Sequence, residues 1–217
     1  MAAPRKRFCS SQKIYSFSTK AILNYFADRI NNEAGRHKLI IIHKIVPDLK
    51  LAINISGSEC SNPHILHLTQ QLVTVNHLKP EQVELEVTDS VLIKHAESSI
   101  EVLTALHDLG VSIAIDFFST GYSSLSYLTA LPIDVLKIDM SFVQRIGINP
   151  QQEIVIKIII DLAKKLSLKI LGEGVETQAQ ADFLVKNSCD YGQGYFYSKP
   201  CSAQDINRLL EANHPQG

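Results

Sequence analysis

The 217-residue chain is 45% hydrophobic and 20% charged, a length and balance that suit one large α/β domain or two small ones. With 21 basic and 22 acidic residues its net charge is −1, which argues against nucleic-acid or membrane binding through bulk charge. No apolar run nears the roughly 18 residues that span a bilayer, and Met1–Lys20 lacks the apolar core of a secretory signal.

Cys9, Cys60, Cys189 and Cys201 have neither CxxC nor metal-type spacing, so the expectation is a cytoplasmic protein with reduced thiols. In chain order, residues 1–18, which include the basic Arg5-Lys6-Arg7, read as a disordered or non-barrel tail. A single domain is expected over residues 19–213. Ala21–Leu39 reads as a helix with polar interruptions, and Leu39–Ile42 fits a strand or a helix equally.

Strands are then expected at Leu51–Ile55, Val83–Val87, Val111–Asp116, Val135–Ile138 and Leu168–Leu171, with a weak one around Asp190–Tyr195. Several are apolar nearly throughout, as in parallel strands covered on both faces. Asn62-Pro63 marks the start of a helix, on which His64 and His67 share a face as surface residues. Leu92, Ala96, Ile100, Leu103 and Leu106 form the apolar stripe of a second helix, which Gly110 terminates. Ile154, Ile158, Leu162 and Leu166 mark the stripe of a third. Repeated strand–helix units imply a parallel sheet, either doubly wound or closed as an eight-stranded barrel.

Polar residues gather at the C-terminal ends of these strands: Asn54, Glu86, Asp116, Lys137, Asp139, Glu173 and Gln193. In a barrel all such ends meet at one mouth, whereas a doubly wound sheet collects only those beside its switch point. Convergence from six strands favours the barrel. Asn54, Glu86, Asp116 and Glu173 offer oxygen ligands only, which suit Mg²⁺ or Mn²⁺ better than zinc. Two such ions some ~4 Å apart clamp a phosphodiester and activate water, and Lys137 is placed to neutralise a phosphate oxygen. Singly, each residue has a structural explanation: Asn54 or Asp116 binding backbone, Glu86 pairing with a lysine, Lys137 pairing with Asp139. As a set on successive strand ends they favour a functional site.

The segments Asn54-Ile-Ser56, Glu84-Leu-Glu86-Val-Thr88-Asp89, Asp116-Phe-Phe-Ser-Thr-Gly-Tyr-Ser-Ser124, Lys137-Ile-Asp139, Glu173-Gly-Val-Glu176-Thr177 and Gln193-Gly-Tyr195 resemble, in order and spacing, the signature of the EAL family from about Leu51 to Leu210. That resemblance implies an α/β, TIM-like (β/α)8 barrel hydrolysing one phosphodiester bond of cyclic di-GMP to give pGpG with Mg²⁺ or Mn²⁺. By matching position, Asn54, Glu86, Asp116 and Glu173 are metal ligands, with Glu173 and Lys137 beside the hydrolytic water. Asp89 supports the loop after Asp116, and Asp139, Glu176 and Gln193 support the site and the nucleotide.

Three departures stand against full activity. The Glu-Ala-Leu motif, which in the family supplies a metal-binding glutamate, is absent upstream of Asn54. The family's Asp-Asp pair reads Asp116-Phe117, and phenylalanine has no lone pair to donate; Ser119 also replaces a usual glycine. Only six strands are found, so one or two N-terminal strands are expected to be lacking. The exposed edge would be covered by the helix near Ala21–Ile30, a second subunit or a partner protein. With a ligand lost from each ion, and about 1.4 kcal/mol enough for a tenfold change in rate, the expectation is a degenerate domain. It would act by binding cyclic di-GMP or a protein; the alternative is an active phosphodiesterase with a rearranged site.

Overall fold

The computed structural model describes residues 50–88, 96–117, 125–199 and 205. Ala21–Ile30, Leu39–Ile42, Asp89 and Ser119 lie outside them, as does the side chain of Phe117. Strands β1 (Leu51–Ile55), β2 (Val83–Thr88), β3 (Ser112–Phe117), β4 (Val135–Ile138), β5 (Lys169–Gly172) and β6 (Tyr191–Gly192) form one sheet. Every pair is parallel and the order is β1-β2-β3-β4-β5-β6. A doubly wound sheet reverses direction at a switch point. This one never does, and the six described strands are consecutive staves of a barrel wall.

Helices fill the crossovers: α1 (Gly57–Cys60), α2 (His64–Val75), α3 (Ala96–Asp108), α4 (Leu125–Ala130), α5 (Met140–Val143), α6 (Pro150–Lys165) and α7 (Gln178–Lys186). Their starts are written in the sequence. The Asn62 side chain accepts the His64 amide at 3.0 Å. Asn149 accepts the Gln151 amide with Pro150 in the first turn, and Thr177 forms a reciprocal cap with Gln180. Among the described residues no helix is long and apolar enough to cross a membrane.

The two faces of the sheet bury different things, because side chains alternate along a strand. Outward, Leu85, Val87, Ile113, Ile115, Leu136, Ile138 and Ile170 pack with Leu103, Leu106, Ile156, Ile160 and Leu184 of the helices. Inward, Ala114, Val135 and Leu171 make a separate small cluster with Tyr191 against it. The inward row carries polar groups on either side of that cluster. Toward the strand starts, Lys50 lies 3.7 Å from Glu84, and Ser112 Oγ donates to Glu84 at 3.4 Å. Toward the strand ends lie Glu86, Asp116 and Lys137.

Helix α6 departs from the expected stripe. It buries Ile156, Ile159, Ile160 and Ala163, while Ile154 and Ile158 are 56% and 60% exposed. Apolar residues occupy most of its circumference, so periodicity alone does not select a face; packing against β4 and β5 does.

Candidate active site

Glu86, Asp116 and Lys137 sit near the C-terminal ends of β2, β3 and β4, and Glu173 follows β5 directly. Register places them together: Thr88 is opposite Asp116, and Asp116 is opposite Lys137. Lys137 is at the centre. Its Nζ lies 2.9 Å from Glu86 Oε2, 2.8 Å from Asp116 Oδ1 and 2.8 Å from Glu173 Oε1. The Glu86 contact is an aligned hydrogen bond. The Asp116 contact is as short but falls off the direction a hydrogen bond needs, so it is an ion pair without an aligned donor.

Lys137 and Glu86 side chains are each only 4% exposed, whereas Asp116 and Glu173 are 20% and 22% exposed. Burial alone pushes the Lys137 ammonium toward losing its proton, but the carboxylates of Glu173, Glu86 and Asp116 together override it and hold its pKa above the ordinary lysine range. Glu173 is held above the usual carboxylate range. Burial is the main cause; Lys137 opposes it, and the negative charges of Asp116 and Glu86 add to it.

The other residues expected in the site have different surroundings. Asn54, opposite Glu86 on β1, is exposed. Asp139 does not pair with Lys137: its side chain accepts the Ser141 amide at 2.8 Å and caps α5. Glu176 is exposed and takes a 3.3 Å hydrogen bond from Gln144. Gln193 is half-buried, and its backbone ties β6 to β5 by donating to the Gly172 carbonyl at 2.8 Å.

Two glycines and a glutamine, not singled out from the sequence, lock the mouth loops. Gly174 has φ +68, and a Cβ there would stand 2.5 Å from Met140 Cβ. Gly194 has φ +155, and a Cβ there would meet the Val175 carbonyl oxygen at 2.2 Å. The loop after β5 and the loop after β6 are therefore pressed together, with Val175 N donating to the Gln193 carbonyl and Phe196 N donating to the Val175 carbonyl, both at 2.9 Å. Buried Gln180 closes the first loop by accepting the amides of Glu176 and Thr177. The available signal was the glycine immediately following each polar strand-end residue.

The donor set suits hard cations in kind, being all oxygen. In arrangement, the three carboxylates expected to hold divalent ions, Glu86, Asp116 and Glu173, are all turned onto Lys137. Among the described residues no three His, Cys, Asp or Glu side chains are placed to hold an ion.

Comparison with known proteins identifies the lineage. The EAL domain model matches residues 20–200, starting well upstream of the first motif segment and ending short of Leu210. The cyclic di-GMP phosphodiesterase NbdA of Pseudomonas aeruginosa is 38% identical over 164 residues, 76% of this chain and 21% of NbdA. The crystal structure of the EAL domain of Mycobacterium smegmatis DcpA superposes with a TM-score of 0.74 at 34% identity, covering 82% of both chains. Klebsiella pneumoniae BlrP1, solved as a manganese and cyclic di-GMP complex, gives 0.69 at 28% identity, covering 83% of this chain and 47% of BlrP1. The chain spans about a fifth of the length of several curated relatives it matches. Matched over most of its length, and sharing the parallel barrel wall and its polar mouth, the chain belongs to the EAL domain family.

Proposed function

We propose that this chain is a cyclic di-GMP-binding signalling domain of EAL type that cleaves its ligand very slowly or not at all. The observation that carries the reading is the capture of Glu86, Asp116 and Glu173 by a single lysine. Hydrolysis needs a water delivered to phosphorus, and positive charge free to meet what develops on the phosphate oxygens. A lysine already held by three carboxylates has little charge left for a phosphate. Phe117 supplies no oxygen where the family carries a second aspartate. The loops bearing Glu173, Glu176 and Gln193 are nonetheless firmly built, which supports a nucleotide pocket that outlives the chemistry.

The competing reading, a working phosphodiesterase with Mg²⁺ or Mn²⁺, draws support from relatives named for that activity. A second subunit or protein partner fits the exposed apolar residues Ile148, just before α6, and Ile154 and Ile158 on it. A cytoplasmic setting fits the free thiols of Cys60 and Cys189.

The test is calorimetry with cyclic di-GMP, with and without Mg²⁺ or Mn²⁺, alongside chromatographic analysis of the products. Saturable binding with no pGpG is expected. Turnover within the ordinary enzyme range of about 1 s⁻¹ or faster would establish the working phosphodiesterase instead.

A further inference from the structure

We infer that Lys137 is the resident counter-cation of the barrel mouth, and that the carboxylate cluster is complete and folded with no divalent ion bound. This goes beyond the binding reading, because it concerns the protein before any nucleotide arrives and stands or falls whether or not cyclic di-GMP binds.

Geometry carries it. The separations of 2.8, 2.8 and 2.9 Å are those of direct ammonium–carboxylate contact, leaving no room for an ion or water between the partners. An ammonium donates only and has no acceptor; here it donates to Glu86 and stands as an ion pair against Asp116 and Glu173. A divalent cation needs carboxylate oxygens at roughly 2.0–2.6 Å. Ligating the same oxygens would bring it against the ammonium, and two like charges a few ångströms apart in a buried site repel strongly. Either cation can serve the cluster; both together cannot without displacing the lysine.

Energetics point the same way. One buried and two part-buried carboxylates crowded together without a cation would cost the fold. A mouth that depended on dissolved metal would lose stability whenever the metal ran low. Lys137 is delivered by β4 itself, between buried Leu136 and Ile138, so the compensating charge is present as soon as the strand pairs. On this view its first task is to hold three carboxylates together, and a phosphate has to compete with them for it.

The experiment uses the full chain without nucleotide. Thermal unfolding is followed in EDTA and in Mg²⁺ or Mn²⁺, for the native protein and for Lys137→Met, which keeps a side chain of similar length but carries no charge. The native melting temperature is expected to move by less than about 1 °C on adding metal. Lys137→Met is expected to melt lower in EDTA and to gain roughly 5 °C or more from metal about a hundredfold above its dissociation constant. A native protein that gains that much, with a variant that gains no more, overturns the inference.

Should the variant not fold under any condition, Mn²⁺ electron paramagnetic resonance on the native protein decides. An undiminished free-ion signal at equimolar protein supports the inference, as does quenching that survives Glu173→Gln, since that ion lies elsewhere. Quenching of one equivalent that Glu173→Gln abolishes refutes it.

Discussion

Replacing Gly194 by alanine drives a methyl group into the backbone of the neighbouring loop. Ideal placement puts the new carbon 2.2 Å from the Val175 oxygen, 2.3 Å from its nitrogen and 2.8 Å from its carbonyl carbon. All three are fixed main-chain atoms, so no rotamer change relieves the clash and the loops must part. Parting them breaks the 2.9 Å bonds from Val175 N to the Gln193 carbonyl and from Phe196 N to the Val175 carbonyl, worth about 1 kcal/mol each. The φ of +155° adds roughly 1–2 kcal/mol for any residue with a side chain. The expected loss is about 3–4 kcal/mol, read as a lower urea midpoint at unchanged slope.

Gly147 provides the control. It also has positive φ, at +80°, but nothing lies within 4 Å of an added carbon, so Gly147→Ala should cost only about 1 kcal/mol of backbone strain. Cyclic di-GMP affinity should fall with Gly194→Ala and hold with Gly147→Ala, since only the former displaces Glu173, Glu176 and Gln193. Equal midpoints for the two variants would refute the interlocked-loop account.

Two further outcomes are expected. Ser167 and Ser188 follow α6 and α7 with φ of +61° and +62°, where glycine removes a steric penalty, so Ser167→Gly and Ser188→Gly should each stabilise by up to about 1 kcal/mol in thermal melts; lower melting temperatures would show that the serine side chains matter more than the turn. Burial pushes the thiols of Cys60 and Cys189 up to about 12 from 9.0, with Glu59 assisting at Cys60. The unfolded chain therefore releases these protons near pH 9 while the native chain keeps them until about pH 12. The thiols' contribution to stability is intact below pH 9 and is lost as pH rises through that window; the double variant Cys60→Ala/Cys189→Ala should lose less stability between pH 8 and 10.5 in urea titrations, and an unchanged pH profile would sink the assignment.

The strands were legible because residues covered on both faces must be apolar, and Leu51–Ile55 and Val135–Ile138 are found where the sequence puts them. The last strand is shorter than expected, only Tyr191–Gly192, because the chain turns back at Gly194 to lie on Val175. The α6 stripe misled because isoleucine recurs on almost every side of that helix. In the mouth, position at a strand end was enough to bring Glu86, Asp116, Lys137 and Glu173 together. Which of them touch depends on side-chain length and inter-strand stagger, which no spacing rule encodes. Lys137 lies against three carboxylates, and Asp139 caps a helix instead of pairing with it.

The small inward cluster of Ala114, Val135, Leu171 and Tyr191 works as a dry septum. On β3 it separates Ser112 from Asp116 by four residues, about 13 Å of strand, so the Lys50–Glu84–Ser112 group and the Lys137 group are separate rooms on the inner face of one barrel wall. Charges in the lower room can be rewritten to adjust robustness without disturbing the chemistry of the upper one.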